Sequence, residues 1–262
     1  KYSPYKSLSN DQHRAVREFL NIILKSDSST TFVEGSAGTG KTILAVYLIK
    51  LLLTNFNIED YDELEGDSLK ELELVKEIQS KKRELSIGLV VPVVSLRKTL
   101  KNVFKNVKGL KPSMVLGTSD VLKKEYDILI IDEAHRLKRR YGITNYDSFD
   151  KNNKALGFGN EGTELDWIMK SSKHHIFFYD EGQSVRPSDV HNEVFSELKY
   201  KPTTNLVKLT SQMRSQGGND YILFIDDLFS MNLKNSDVVF NNPNYELKLF
   251  THLPDMMAKM SE

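Results

Sequence analysis

Residues 35–42 read Gly-Ser-Ala-Gly-Thr-Gly-Lys-Thr, a complete GxxxxGK[ST] pattern. No other feature of the chain constrains its fold so tightly. A phosphate loop needs a strand feeding into the glycine turn and a helix leaving it. Both flanks fit: Thr31-Phe32-Val33-Glu34 is strand-like, and Ile43-Leu44-Ala45-Val46-Tyr47-Leu48-Ile49 is helix-like. Glycines at 35, 38 and 40 let successive backbone N–H groups turn inward around phosphate oxygens. A helix starting near Lys41 adds the positive end of its dipole. The expected cofactor-binding set is therefore Gly35, Ser36, Ala37, Gly38, Thr39, Gly40, Lys41 and Thr42. Lys41 can reach the β/γ-phosphates, and the Thr42 hydroxyl can take part in holding Mg²⁺, so the implied cofactors are ATP and Mg²⁺.

The chain has 262 residues, which suits one large α/β domain or one and a half smaller ones. Lys plus Arg and Asp plus Glu number 36 each, so a globally basic, DNA-coating protein is excluded, while a local basic groove is not. There is no cysteine, which excludes disulfides and cysteine-ligated metal and fits a reducing, cytoplasmic setting. Lys1-Tyr2-Ser3-Pro4 has no apolar stretch, so no signal peptide is expected there. A start at Lys1 rather than Met suggests a piece cut from a longer protein. Apolar runs such as 128–131 are too short for a bilayer, and no membrane partner is expected.

Read along the chain, 8–25 is an amphipathic helix opened by Ser9 or Asn10, with Val16, Phe19, Leu20 and Ile23 on one face. Residues 57–86 are highly charged and read as a surface helical insertion. Residues 87–94 and 126–131 are apolar runs suited to strands buried on both faces. A helix is expected over 96–108, a short strand over 114–116, a helix from 164 to 170, strands over 175–179 and 206–209, and a helix over 220–229. The Asn, Asp and Gly content of 141–162 reads as a long loop. Strands alternating with helices predict an α/β fold with a mostly parallel sheet covered by helices on both faces. The expected domains are an ATPase domain over 1–240, then over 241–262 a linker, a strand at 247–250 and the truncated start of a second domain.

The apolar run 128–131 leads into Asp132-Glu133-Ala134-His135. A buried strand ending in two acids supplies the other half of a nucleotide site. Asp132 can hold Mg²⁺ with Thr42, and Glu133 can polarise the attacking water as general base.

These motifs resemble those of superfamily 1 helicases, specifically the first RecA-like ATPase lobe. The loop GSAGTGKT, with Ala37 and Thr39, is closer to that superfamily than to superfamily 2. Leu8-Ser9-Asn10-Asp11-Gln12 resembles the Q motif, which implies that Gln12 reads the adenine edge. Pro92-Val93-Val94-Ser95-Leu96 resembles motif Ia, which lines the nucleic-acid path, and DEAH at 132–135 stands as motif II. Tyr179-Asp180-Glu181-Gly182-Gln183 resembles motif III, implying that Gln183 couples the γ-phosphate to the nucleic-acid groove. Leu209-Thr210-Ser211-Gln212-Met213-Arg214 resembles motif IV, implying that Arg214 touches the γ-phosphate. The nearest likeness is to a bacterial helicase-like family related to the Schlafen helicase domain, carried by 163–170, 176–180 and 186–189. Two departures stand out: well-studied superfamily 1 motors mostly lack DEAH, and motifs V and VI of a second lobe are not in this sequence. The resemblance thus implies that a missing C-terminal RecA-like domain is required for full activity.

No acidic residue falls between Val93 and Asp120, while Arg97, Lys98, Lys101, Lys105, Lys108 and Lys111 all do. On a helix, Arg97, Lys101, Lys105 and Lys108 share a face. With Ser95 of the motif Ia stretch they form a candidate contact for single-stranded DNA or RNA, against the plainer reading of a solvated helix face. A second basic cluster, Arg136, Lys138, Arg139 and Arg140, could serve a partner or solvate a turn. Trp167 reads as core, and the adjacent His174 and His175 point to opposite strand faces, poor geometry for one metal. Two functions follow: the motor lobe of a nucleic-acid-dependent ATPase, or an ATP-gated switch that does not move on nucleic acid. Gln12, Gln183 and Arg214 favour the first, and near-zero net charge the second. Oligomeric state is not legible.

Overall fold

The structure is a computed structural model, and it describes residues 8–35, 38–54, 67–81, 84–184, 186–211, 218–230, 240, 243, 245–248 and 250–261. The chain divides into two compact units, Lys1–Thr210 and Ser211–Glu262. The sequence reading draws its boundary at 240 instead.

Among its described residues the first unit is built on six strands: β1 (Ser29–Glu34), β2 (Ile87–Val90), β3 (Val115–Leu116), β4 (Tyr126–Ile131), β5 (Ser172–Tyr179) and β6 (Thr204–Lys208). They form one sheet in the order β3-β2-β4-β5-β1-β6, with every pairing parallel. The α/β parallel fold expected from the sequence is the fold observed. Strand alternation sorts the core into two layers. Val33, Ile128, Ile130, Ile176 and Phe178 face one way. There they meet α1 (Asn10–Lys25), α2 (Lys41–Leu53), α3 (Asp67–Lys81) and α4 (Val94–Asn106). Phe32, Leu129, Ile131, Phe177 and Tyr179 face the other way, against α5 (Tyr146–Leu156), α6 (Glu164–Ser171) and α7 (Asn192–Lys199). Parallel strands need such cover on both faces, and β2 and β4 are accordingly buried along their whole length.

Local chemistry starts the helices. Ser9 caps α1 in a capping box with Gln12. Thr163 and Asp166 do the same for α6. β2 stops at Val90, short of the expected 87–94, because Pro92 has no N–H for a ladder and α4 begins at Val94.

Three expectations need correction. Of the charged segment 57–86, residues 57–66 and 82–83 lie outside the described residues, and 67–81 is not merely a surface insertion: α3 buries Leu72, Val75 and Ile78, spaced three apart, against the core. Its fully buried Glu71 accepts the Tyr47 hydroxyl at 2.8 Å and lies 2.8 Å from His13 Nδ1. Residues 141–162 are not a continuous loop: Asn145 caps α5, whose Phe149 packs on Trp167 at 4.6 Å between ring centroids. Trp167 is core as expected, its Nε1 donating to Asn153 Oδ1 at 2.6 Å. The strand expected over 247–250 is absent among the described residues there. In the second unit, α8 (Gly218–Phe229) carries Tyr221, whose ring meets Phe240 and Tyr245 at 5.8 and 5.0 Å, and α9 (Leu253–Met260) follows.

His175, buried on β5, gives a pH prediction. Burial pushes its imidazole down to about 4. Its folded value is depressed, so its contribution is fully present above the unfolded value, near 6.5, and is lost as pH falls toward 4. The gap corresponds to about 3 kcal/mol. Urea midpoints of the parent should fall over that window, and His175→Phe should flatten the slope. An equal slope in both would remove His175 as its source.

Candidate functional site

The site lies at the carboxyl ends of β1, β4 and β5, where helices and loops leave an open parallel sheet and ligands commonly bind. β5 runs between β1 and β4, with Glu34 opposite Tyr179 and Ile131 opposite Phe177. The turn after β1 therefore faces the acids after β4 across the end of β5.

The phosphate loop has the backbone its glycines permit. Gly38 and Gly40 have φ of 96° and 81°, left-handed values that a side chain would strain. Gly40 is the N-cap of α2 and, having no side chain, makes no side-chain cap bond of its own. Gly35 opens the loop, and a Cβ there would meet Thr39 Oγ1 at 2.7 Å. Ser36 and Ala37 lie outside the described residues. Gln12 is almost fully buried, and both ends of its amide are engaged: Oε1 accepts from Ser9 N at 3.1 Å, and Nε2 donates to Thr39 O at 3.0 Å. It thus braces the phosphate loop against the start of α1.

Thr42 and Asp132 meet: the hydroxyl donates to Oδ2 at 2.7 Å. Asp132 is fully buried, and that burial pushes its carboxyl up to about 6, against the opposing donation from Thr42. A hydroxyl and a buried carboxylate oxygen converging beside a phosphate loop fit a hard cation such as Mg²⁺. Glu133 adopts φ 53°, ψ 47°, the only positive φ outside glycine among the described residues. Such strain at a side chain is costly and tends to gather at functional positions. Its Oε2 lies 3.0 Å from His135 Nε2, close but poorly aligned for a hydrogen bond. That imidazole, with Lys41 and Arg136 adding charge, holds the Glu133 carboxyl below the usual range despite burial.

Lys41 sits among three acids. Its Nζ donates to Gly35 O and lies 3.6 Å from Asp180 Oδ2. Burial lowers its pKa, while Asp180, Glu133 and Asp132 oppose that shift. Gln183 donates Nε2 to the same Asp180 oxygen at 2.5 Å. Asp180 is the site residue that sequence reasoning missed: it was visible in the DEGQ stretch, but its role depends on β5 lying between the other two strands. Arg214 lies outside the described residues.

The candidate nucleic-acid set divides. Ser95, Lys101, Lys105 and Lys108 are exposed. Arg97 instead turns inward, Nη1 donating to Val91 O at 2.7 Å and lying against Gly117. Most of the second basic cluster is also engaged. Arg140 grips Asp150 at 2.5 and 2.8 Å, Arg136 Nη1 meets Asp189 at 3.3 Å, and Arg139 Nε donates to Pro187 O at 3.0 Å. Backbone bonds from Arg139 N to Ser188 O and from Val190 N to Leu137 O complete the seam. It ties the loop after Asp132-Glu133 to the loop after Gln183. No group of three or more metal-ligating side chains occurs among the described residues.

Over residues 28–262 the chain matches the family model described as Schlafen group 3, DNA/RNA helicase domain. No curated protein matches it. Among solved structures, domain III of the Thermotoga maritima replication initiation protein DnaA is similar at 10% identity and a TM-score of 0.37, covering 88% of this chain and 75% of that one. A DNA replication initiation factor is similar at 15% identity and a TM-score of 0.38, covering 100% of this chain and 63% of that one. Likeness this slight carries no argument about function.

Proposed function

The chain belongs to the Schlafen group 3 DNA/RNA helicase domain family, and from that premise we propose that it is the ATP-binding and hydrolysing lobe of a nucleic-acid-dependent, superfamily 1-type motor. The observation that carries the reading is the 2.7 Å bond between Thr42 and Asp132, which brings the phosphate loop and the acid-bearing strand to one point.

The roles follow from the chemistry. Lys41 and the loop N–H groups bind the β/γ-phosphates. Thr42 and Asp132 are the residues that would hold Mg²⁺, whose charge offsets that of the phosphates. Glu133 is ionised by its surroundings and takes a proton from the attacking water. Gln183 lies within reach of this centre through Asp180 and relates it to the nucleic-acid path. Gln12 acts on the nucleotide by shaping the loop at Thr39, and adenine reading would require its amide to exchange partners. For Arg214 this reading keeps the role that the superfamily 1 resemblance implies, a contact with the γ-phosphate. Residues 1–240 form the ATPase domain in this reading, and 241–262 lead into a second lobe.

ATPase turnover with and without single-stranded DNA or RNA tests the motor reading. Stimulation supports it, and an unchanged rate favours the ATP-gated switch. The inward turn of Arg97 is the observation on the switch's side. The exposed lysines give a sharper measurement. Lys101, Lys105 and Lys108 replaced by Glu should weaken single-strand binding and reduce its log–log salt slope by about 0.7 per lost phosphate contact, about 2 in all. An unchanged slope would make α4, which ends at Asn106, and the turn that carries Lys108 a plain solvated surface.

A further inference from the structure

Asp180 has no part in the roles above except through Lys41 and Gln183, yet one of its oxygens meets both. Oδ2 lies 3.6 Å from Lys41 Nζ and 2.5 Å from Gln183 Nε2. The Lys41 and Asp180 side chains are only 10% and 13% exposed, so water screens their attraction weakly. An ammonium that enclosed needs an anion close by. We propose that Asp180 is a positioning residue that holds Lys41 in the nucleotide-free site and competes with the terminal phosphates of ATP for it. The proposal rests on the phosphate-loop reading.

The exchange is electrostatic, and no covalent bond changes. When phosphate oxygens engage Lys41, Asp180 loses its cation and faces a second anion at short range. The carboxylate must then turn away or gain a new partner, and Gln183, bonded to the same oxygen, moves with it. Gln183 opens the segment leading to 186–190, which is bonded to 136–139 through Arg139 N to Ser188 O, Val190 N to Leu137 O and Arg136 to Asp189. That second segment begins three residues after Glu133. Asp180 thus links arrival of the γ-phosphate to both loops that border the site.

The test compares Asp180→Asn with Asp180→Ala in the full chain, by titration with ADP and with a non-hydrolysable ATP analogue in Mg²⁺. Asp180→Asn removes the charge but keeps an oxygen acceptor for Gln183. It should bind the analogue about tenfold more tightly than the parent, a modest share of the attraction between unit charges at this range, and should gain less with ADP. Asp180→Ala should show the same gain with lower turnover, because Gln183 loses its acceptor. A purely structural Asp180 would weaken binding or leave it unchanged when replaced, and either result in both variants overturns the proposal. Failure of the parent chain to bind either nucleotide is a different result: it overturns the phosphate-loop reading, and this proposal with it.

Discussion

Lys41→Ala is expected to abolish detectable ATP binding. The Nζ group is the cation amid Asp132, Glu133 and Asp180, all of which act on it electrostatically. Without it, three carboxylates face a polyanion that has lost the phosphate loop's own side-chain cation. Charge-assisted hydrogen bonds contribute roughly 1.5–3 kcal/mol each, so losing two weakens affinity at least about 100-fold before the unmasked repulsion is added. Lys41→Met keeps the aliphatic stem and should fail equally, which separates charge from packing. Calorimetric titration with Mg-ATP is the measurement, and affinity equal to the parent's in both variants would remove the phosphate-loop assignment.

Glu133→Gln is expected to separate binding from chemistry. The amide keeps the size of the side chain and leaves the Thr42–Asp132 pair 2.7 Å apart. Mg-ATP affinity should therefore stay within about twofold, well under 1 kcal/mol. Turnover should fall by roughly 10²–10⁴, the range that a positioned general base supplies. Steady-state ATPase in the presence of single strand reads the loss, and undiminished turnover would take Glu133 out of its role. The left-handed backbone at Glu133 adds a second check. Glu133→Gly should relieve strain of about 1–3 kcal/mol, raising the unfolding midpoint while losing the same activity.

Much of the molecule was readable where the determining physics is local. The strand, glycine turn and helix of 29–53 follow from an apolar run, left-handed positions that only glycine takes easily, and a helix-forming run. The 126–131 strand, with its two terminal acids, follows from a stretch too apolar to face water on either side. A helix start at Ser9 or Asn10 was legible because capping is local, and the structure settles it at Ser9, in a capping box with Gln12 three residues on.

The errors fall where a few anchors are satisfied only by distant partners. α5 has little apolar surface of its own, and Phe149 is held by Trp167. α7 was not expected, and Phe195 and Leu198 secure it to the core from a polar sequence. α3 looked solvated until Leu72, Val75 and Ile78 found the apolar layer beneath them. Arg97 looked like part of a basic face, but the Val91 carbonyl offered a stronger partner than water.

The sequence by itself determined the phosphate loop, the acid pair and the parallel α/β class, because each is written in consecutive residues or in a period of two or 3.6. Only the tertiary structure decided that Asp180 lies beside Lys41. That contact depends on β5 pairing with β1 on one side and β4 on the other, and strand order is a choice among distant pairings that no local period records.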